Sequence, residues 1–497
     1  MLTFSSFIMP KKVFFAAMLA LILCALARPQ PCAAQEFAAP AQRVEQSESF
    51  KDDPAPQKDA PDAPADESPD SLFPHFGDER PFWVSGQMNF ISQAHPEFHA
   101  AYSGPHSFSP HYEKATSRIM TLYTGLRLSH STEVLVDIED AAGQGLSNSF
   151  GLAGNMNVDV VHIPGGGSPL STAPYFARVM VHEVIALSHK KVKGGRGPMS
   201  TFAELPERRL EIHAGLLDTV DFFDQNSVGS DSHFQFMNGT TAQNGAYDYA
   251  ADTRGYTWGV VTEYQAKDWA FRAGEILMPK IANGIDIEWN LRKAHAENFE
   301  FELRKGLLPK REGTVRLLSY INHANMGIYR DAVAQYEAGI TPVPEITNHP
   351  FHTTIKYGFG VNLEQALSTN FKAYARWGWN NGKTESFCYT EVDSTFAIGL
   401  GANGHQWQRN KDRAGVVFVS NAISKDHQNY LADGGLGFIL GDGALHYGRE
   451  QIVESYYTAH VWRGFYAGPD LQHINNPGYN RDRGPVLVPG FRVHVEL

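Results

Sequence analysis

Cysteine is scarce, with 3 in 497 residues. Two of them, Cys24 and Cys32, fall in the first 34 residues, which leaves Cys388 alone in the rest of the chain. That excludes an internal disulfide framework and a cysteine-rich metal site. Long apolar runs are also missing. Beyond the leader no segment approaches ~18 uninterrupted apolar residues, and mean hydropathy is -0.31, so a bundle of membrane helices is excluded. Positive charge is in deficit, 42 Lys and Arg against 54 Asp and Glu for a net -12, which argues against nucleic acid as a partner. Motifs of common enzymes are lacking too. Gly165-Gly166-Gly167 runs into Ser168-Pro169 without the Lys-Ser/Thr of a phosphate loop, and His182-Glu183 begins like a zinc-protease helix but has Ala at 186. No strained nucleophile elbow stands out, and the 21 histidines show no ligand cluster of recognisable spacing.

Aromatics are plentiful, with 20 Tyr, 31 Phe and 8 Trp. The N-terminus reads as an export signal over residues 1–34. Lys11 and Lys12 precede the apolar run Val13–Leu26, and Cys32-Ala33-Ala34 offers a small-residue cleavage site, with Ala25-Leu26-Ala27 as a second. Residues 35–80 are rich in Pro, Asp and Ala and lack the apolar surface to offset ordering entropy, so they are expected to form a disordered periplasmic leader. Residues 81–497 then form one domain.

That domain alternates. In Pro485–Leu497 the odd positions, among them Leu487, Phe491, Val493 and Val495, are apolar, while Arg492, His494 and Glu496 are polar. Side chains alternate across a strand, so the segment has one apolar and one wet face. The same rhythm sets Val84, Met88 and Phe90 against Ser85, Gln87 and Asn89, and Val134, Val136 and Ile138 against Glu133, Asp137 and Glu139. It sets Tyr175, Ala177, Val179 and Val181 against Arg178 and His182, and Tyr256, Trp258 and Val260 on one face of a later strand. It continues with Phe299, Phe301 and Leu303 against Glu300, Glu302 and Arg304, and with Trp377 and Trp379 against Tyr374 and Arg376. Short polar turns such as Ser129–Thr132 alternate with long loops such as Gly143–Asn157. These features predict an all-β, transmembrane, antiparallel outer-membrane β-barrel of about 16 strands, with 18 also allowed by the length. A barrel that wide keeps a water-filled lumen.

Several stretches resemble the OprB-type carbohydrate-selective porins of Gram-negative outer membranes. They are Gly145-Leu146-Ser147 with Gly151-Leu152-Ala153-Gly154 and Pro174-Tyr175-Phe176-Ala177-Arg178; Asp221-Phe222-Phe223-Asp224-Gln225-Asn226 with Gln235-Phe236-Met237-Asn238; Gly245–Gly259; and Pro469-Asp470-Leu471-Gln472 with Asn476-Pro477-Gly478 and Asn480–Val486. The resemblance implies a 16-stranded porin passing monosaccharides and small oligosaccharides down their gradient. It implies no catalysis, no cofactor, and small sugars, outer-membrane lipid and the barrel assembly machinery as partners. Two departures stand out. The chain ends in Leu497 where such porins end in an aromatic residue, and Pro489 occupies a strand interior.

A sugar offers hydroxyls and two flatter apolar faces, so a selective channel needs charged groups beside aromatic surfaces. The candidates on the polar faces are Arg127, Asp137, Arg178, Glu302, Arg304, Arg316 and Arg376, with Tyr374 as a stacking platform. Arg178 and Arg376 rank first, and the plain alternative is that all are solvated wall residues. Asp218, Asp221, Asp224 and Asn226 are the kind of oxygen donors that hold Ca²⁺, though acidic loops facing solvent are commoner. The Gly-rich segment Gly143–Pro174 either folds inward to narrow a pore or stands outward. Two other functions stay open at this point, a barrel enzyme of the outer membrane and a secreted soluble β-rich protein that binds or cleaves sugars.

Overall fold

The computed structural model describes residues 70–160 and 173–497. The export signal, the leader up to residue 69 and the Gly165–Gly167 run lie outside the described residues. Strands are β1 (Phe82–His95), β2 (Glu113–Arg127), β3 (Thr132–Gly143), β4 (Tyr175–Ala186), β5 (Lys191–Lys193), β6 (Glu204–Pro206), β7 (Arg209–Leu217), β8 (Thr257–Gln265) and β9 (Trp269–Ile276). They continue as β10 (His295–Leu303), β11 (Gly313–Ala324), β12 (Thr354–Ala366), β13 (Phe371–Asn380), β14 (Ser394–Asn403), β15 (Arg413–Ala422), β16 (Glu450–Trp462), β17 (Phe465–Asn475) and β18 (Val486–Glu496). All but β5 and β6 form one closed antiparallel barrel of 16 strands, each paired to its barrel neighbours in sequence. Among the described residues no helix is long and apolar enough to cross a membrane.

The barrel closes where β1 meets β18, in register from Gln87↔Glu496 to Gln93↔Gly490. Leu497 extends the seam by donating its N–H to Gly86 O at 2.7 Å. Pro489 sits opposite Leu471 of β17, one residue past the last β1–β18 pair, so pairing with β1 has already ended where the proline falls. Leu72 and His75 join this seam. Leu72 N–H donates to Glu496 O at 2.9 Å, and His75 Nε2 to Leu497 O at 3.2 Å.

The apolar faces point away from the barrel axis. Val84, Phe90, Phe271, Phe299, Phe301, Leu317, Trp377, Phe396, Leu487 and Phe491 are all exposed. In water each would forgo about 1.5–3 kcal/mol of burial, whereas lipid supplies the apolar surroundings such a band needs. A soluble sandwich is excluded, because its apolar faces would be buried against each other.

The register slips between β16 and β17, at His460–Trp462, and between β3 and β4. Asp137 pairs with Arg178 but Ile138 pairs with Phe176, so Ala177 is an extra, bulged residue in β4. Phe176 is therefore turned outward at 60% exposure, and Tyr175 turns inward to Glu139. Strict alternation placed Tyr175 with the outward residues, and the bulge corrects it. Tyr256 also differs from expectation. It precedes β8 and donates its hydroxyl inward to Glu139 at 3.0 Å.

One rim carries short turns such as those between β2 and β3 and between β16 and β17, and the other carries the long loops. The connection 187–208 is the exception at the short-turn rim. Its β5–β6 hairpin folds back so that Phe202 packs on Val184, while Ser200 Oγ and Thr201 N–H donate to Glu133 at 2.8 and 2.6 Å.

Candidate functional site

The lumen is crossed by the loop 218–256. Short polar side chains give it tight turns: Asp218 Oδ1 accepts from Val220 N–H at 3.0 Å, Asn226 Oδ1 from Val228 N–H at 2.8 Å, and Asn238 Oδ1 from Thr240 N–H at 3.0 Å at the start of a one-turn helix, α1 (Gly239–Ala242). Wall residues then hold it. Glu454 of β16 accepts from Met237 N–H at 2.5 Å and from Thr241 Oγ1. Arg492 of β18 donates to Gln235 O at 2.8 Å, and Asn322 of β11 to Asp248 O at 2.5 Å. Lys356 of β12 pairs with Asp248 at 3.1 Å. The inner core is built mostly from such contacts, with Phe222, Phe223, Tyr247 and Tyr249 packed on Tyr320 and Phe387. A barrel of this width cannot fill its lumen with wall side chains alone, so loops complete the core.

The Gly-rich segment also turns inward over its described part. Asn157 Nδ2 donates to Ser117 Oγ at 2.7 Å, Asp159 accepts from Asn89 Nδ2 at 2.5 Å, and Met156 O accepts from Gln472 Nε2 at 3.0 Å.

The candidate residues separate into four settings. Arg127 lies at the short-turn rim, donating to Arg80 O at 3.3 Å. Glu302, Arg304 and Arg316 belong to a ladder of alternating charge across β8 to β12. In it Arg272 pairs with Glu263, Glu300 and Glu302 at 2.6, 2.8 and 3.0 Å, and Arg316 pairs with Glu302 and Glu364 at 2.9 and 2.5 Å. Arg304 ends it near the rim, at 2.6 Å from Glu302. Opposite charges on neighbouring strands stabilise the wall. Tyr374 and Arg376 are fully buried beneath the loop. Arg376 donates to Ala242 O at 2.8 Å and Ser230 Oγ at 2.6 Å and pairs with Asp224 at 3.1 Å.

The fourth setting is different. Arg178 bridges Asp137 of β3 and Asp221 of the loop, and Asp221 keeps 27% of its side chain exposed. Beside them Glu139 accepts from Tyr175 at 2.5 Å, Tyr256 at 3.0 Å and Thr121 at 3.0 Å. Arg254 lies 4.1 Å over the Tyr175 ring. Burial, then the Glu139 charge, pushes the Tyr256 hydroxyl far above its ordinary range, so it stays a donor. Burial and the nearby Asp221 charge push the Asp218 carboxyl well up. Of this group Asp221, Tyr175 and Tyr256 keep partial exposure, while Asp137, Glu139 and Arg178 are buried.

The four oxygen donors proposed for Ca²⁺ are engaged separately. Asp218 caps a turn, Asp221 pairs with Arg178, Asp224 pairs with Arg376, and Asn226 Nδ2 donates to Asn362 Oδ1 at 2.7 Å. Glu139, Arg272, Glu454 and the inward Tyr175 were not singled out from sequence. The first three sit at polar positions of alternating strands, so their facing was legible but their loop and ladder partners were not. A cleft of about 360 Å³ at the long-loop rim is lined by Phe176, Trp258, Trp289, Arg254, Tyr256 and Lys280.

Residues 118–497 match the sequence profile of the carbohydrate-selective porin, OprB family. No curated protein matches at a significant level. The high-pH structure of Pseudomonas putida OprB is 16% identical, with a TM-score of 0.61 over 84% of this chain and 94% of that one. The low-pH structure of the same protein is 12% identical with a TM-score of 0.44, covering 84% and 92%. The outer membrane channel DcaP of Acinetobacter baumannii is 10% identical with a TM-score of 0.46, covering 84% and 97%.

Proposed function

The chain belongs to the carbohydrate-selective porins of the OprB family, and from that premise we propose that its selectivity is set by the Arg178 group between β3, β4 and the loop 218–256. The protein is a porin of the Gram-negative outer membrane through which carbohydrates diffuse passively. What supports the finer reading is a single convergence: the buried Asp137, Arg178 and Glu139 meet Asp221, Tyr175 and Tyr256, which keep partial exposure. Sugar hydroxyls exchange hydrogen bonds with the charged groups, and the flatter sugar faces meet the rings. Because Arg178 already has two carboxylate partners, a sugar competes with them, so binding is weak enough for release.

In this reading Arg376 and Tyr374 position the loop, and Glu302, Arg304 and Arg316 stiffen the wall. Asp218, Asp221, Asp224 and Asn226 shape the loop without an ion. The protein acts as a channel and not as an enzyme, a reading that the family and the fold support. Lipid surrounds the apolar band, and the barrel assembly machinery is the partner that inserts the barrel. Liposome swelling tests the reading. Monosaccharides should enter faster than disaccharides, and Arg178→Ala should narrow that difference. Equal entry of both sugars into wild-type liposomes would contradict it.

A further inference from the structure

Four ionisable side chains stand on the outer wall of the barrel, where apolar residues are expected. His295 and Glu297 share a face of β10 with the exposed Phe299 and Phe301. Glu275 of β9 lies opposite Glu297, and His323 of β11 lies opposite His295. They crown the apolar band at the end of the strands nearest the long loops, beside the outward Ile355 of β12.

Their arrangement is that of a ligand set. The two imidazole rings are stacked 4.3 Å apart at 9°. Both turn Nε2 toward one carboxylate, His323 at 3.6 Å and His295 at 3.9 Å from Glu297. The donor atoms of His295, Glu297 and His323 all lie within 4.8 Å of one another. A zinc-class ion bound at ~2.0–2.2 Å in tetrahedral geometry holds its donors roughly 3.3 Å apart, so the side chains need to close by little. His295 Nδ1 is buried and lacks a hydrogen-bond partner.

A second group, His182, Glu211 and His213, meets the same distance criterion inside the barrel. There His182 already bridges Glu133 and Glu211 at 2.7 and 3.0 Å, and Arg209 pairs with Glu211 at 2.9 Å. A metal would have to displace those partners. On the outer wall, among the described residues, neither Glu275 nor Glu297 is paired with an arginine or lysine. Two carboxylates at the edge of an apolar band call for a cation.

We propose that His295, Glu297 and His323 bind a divalent transition-metal ion of the zinc class on the outer wall, beside Glu275 on the neighbouring strand. Imidazole ligands select such ions over Ca²⁺ and Mg²⁺. The site is separate from the permeation path, because its residues face away from the lumen.

The test is zinc titration of the chelator-treated, detergent-solubilised full chain against a chromophoric indicator, with Co²⁺ absorption to report coordination. The expected result is one bound equivalent and the intense visible bands of a low-coordinate Co²⁺ site. Glu297→Gln and His323→Ala should each weaken binding by about tenfold or more, and His295→Ala/His323→Ala should abolish it, while heat-modifiable mobility shows the barrel intact. Absence of a stoichiometric site in the wild type would overturn the proposal. So would binding that survives the double substitution, or that is lost in His213→Ala instead.

Discussion

Arg376 Nε lies 3.1 Å from Asp224 Oδ2, and both side chains are buried. This pair joins wall strand β13 to the loop that crosses the lumen, so a residue on a polar strand face serves as a clasp and does not meet solvent. Removing the arginine would leave Asp224 buried without its countercharge and free the carbonyls of Thr241 and Ala242. Arg376→Ala should therefore cost about 3–5 kcal/mol. Heat-modified gel mobility should show unfolding at lower temperature, and limited proteolysis should cut within 218–256. An unchanged transition with a protected loop would refute the clasp.

Arg178→Ala acts on permeation. Asp137 lies beside β4 and Asp221 is partly exposed, so the loop keeps its other attachments. Sugar block of single-channel current should weaken severalfold, and the unfolding temperature should fall as well, because Asp137 is left buried without its countercharge. Arg178→Lys should restore part of the block, since an ammonium keeps the charge but loses the fork that reaches two carboxylates.

The bulge at Ala177 sets the facing of two aromatics. Without that extra residue Arg178, Phe176 and Tyr175 alternate as they already pair, so deleting Ala177 should straighten β4 and keep Phe176 outward and Tyr175 inward. The expected outcome is a barrel that assembles normally, measured as the heat-modifiable fraction in outer-membrane extracts. A large loss of that fraction would mean that Ala177 does more than turn the two aromatics.

The loops above the lumen respond to alkali. His427, on the short helix α3 (Lys425–Ala432), lies between Asp393 at 3.3 Å and Glu391 at 3.4 Å, and the helix α2 (Tyr329–Glu337) packs beside it through Tyr329. Burial alone would lower its pKa, but hydrogen bonds to the two carboxylates outweigh burial and raise it. Its contribution is thus full below about pH 6.5 and lost as pH rises through the raised value. Burial pushes Glu385 up to about 8, against the Gly327 N–H and Lys356. The folded state holds that proton longer than the unfolded chain, so stability again falls with rising pH, from about 4.3 towards about 8. Both signs agree. Hydrogen exchange over 384–393 and 425–432, corrected for intrinsic rates, should show protection falling as pH rises, and protection that rises instead would reverse the sign.

Much of the fold was legible because lipid on one side and water on the other impose a period of two on every strand. Phe299, Glu300, Phe301 and Glu302 reveal their facing without any partner being known. The strand count followed from length and from the contrast of short turns with long loops. Three things were not legible. A bulge such as Ala177 leaves no local signature, because the residues around it remain good strand formers. The inward fold of 218–256 depends on residues more than 200 positions away, as Glu454 with Met237 shows. Polar-face arginines look alike in sequence, so Arg178 between two carboxylates and Arg376 beneath a loop could not be told apart. The cross-strand pair His295 and His323 escaped for the same reason, since strand register and not sequence spacing brings them together.

The central claim is a water-filled lumen narrowed by a loop that the wall holds in place. Single-channel conductance in planar bilayers tests it most directly, with graded sugar block in the wild type and in Arg376→Ala. The account predicts a small, sugar-blocked conductance that becomes larger and noisier when the clasp is removed. A wild-type barrel that carries no current, or an identical conductance after Arg376 is replaced, would contradict it.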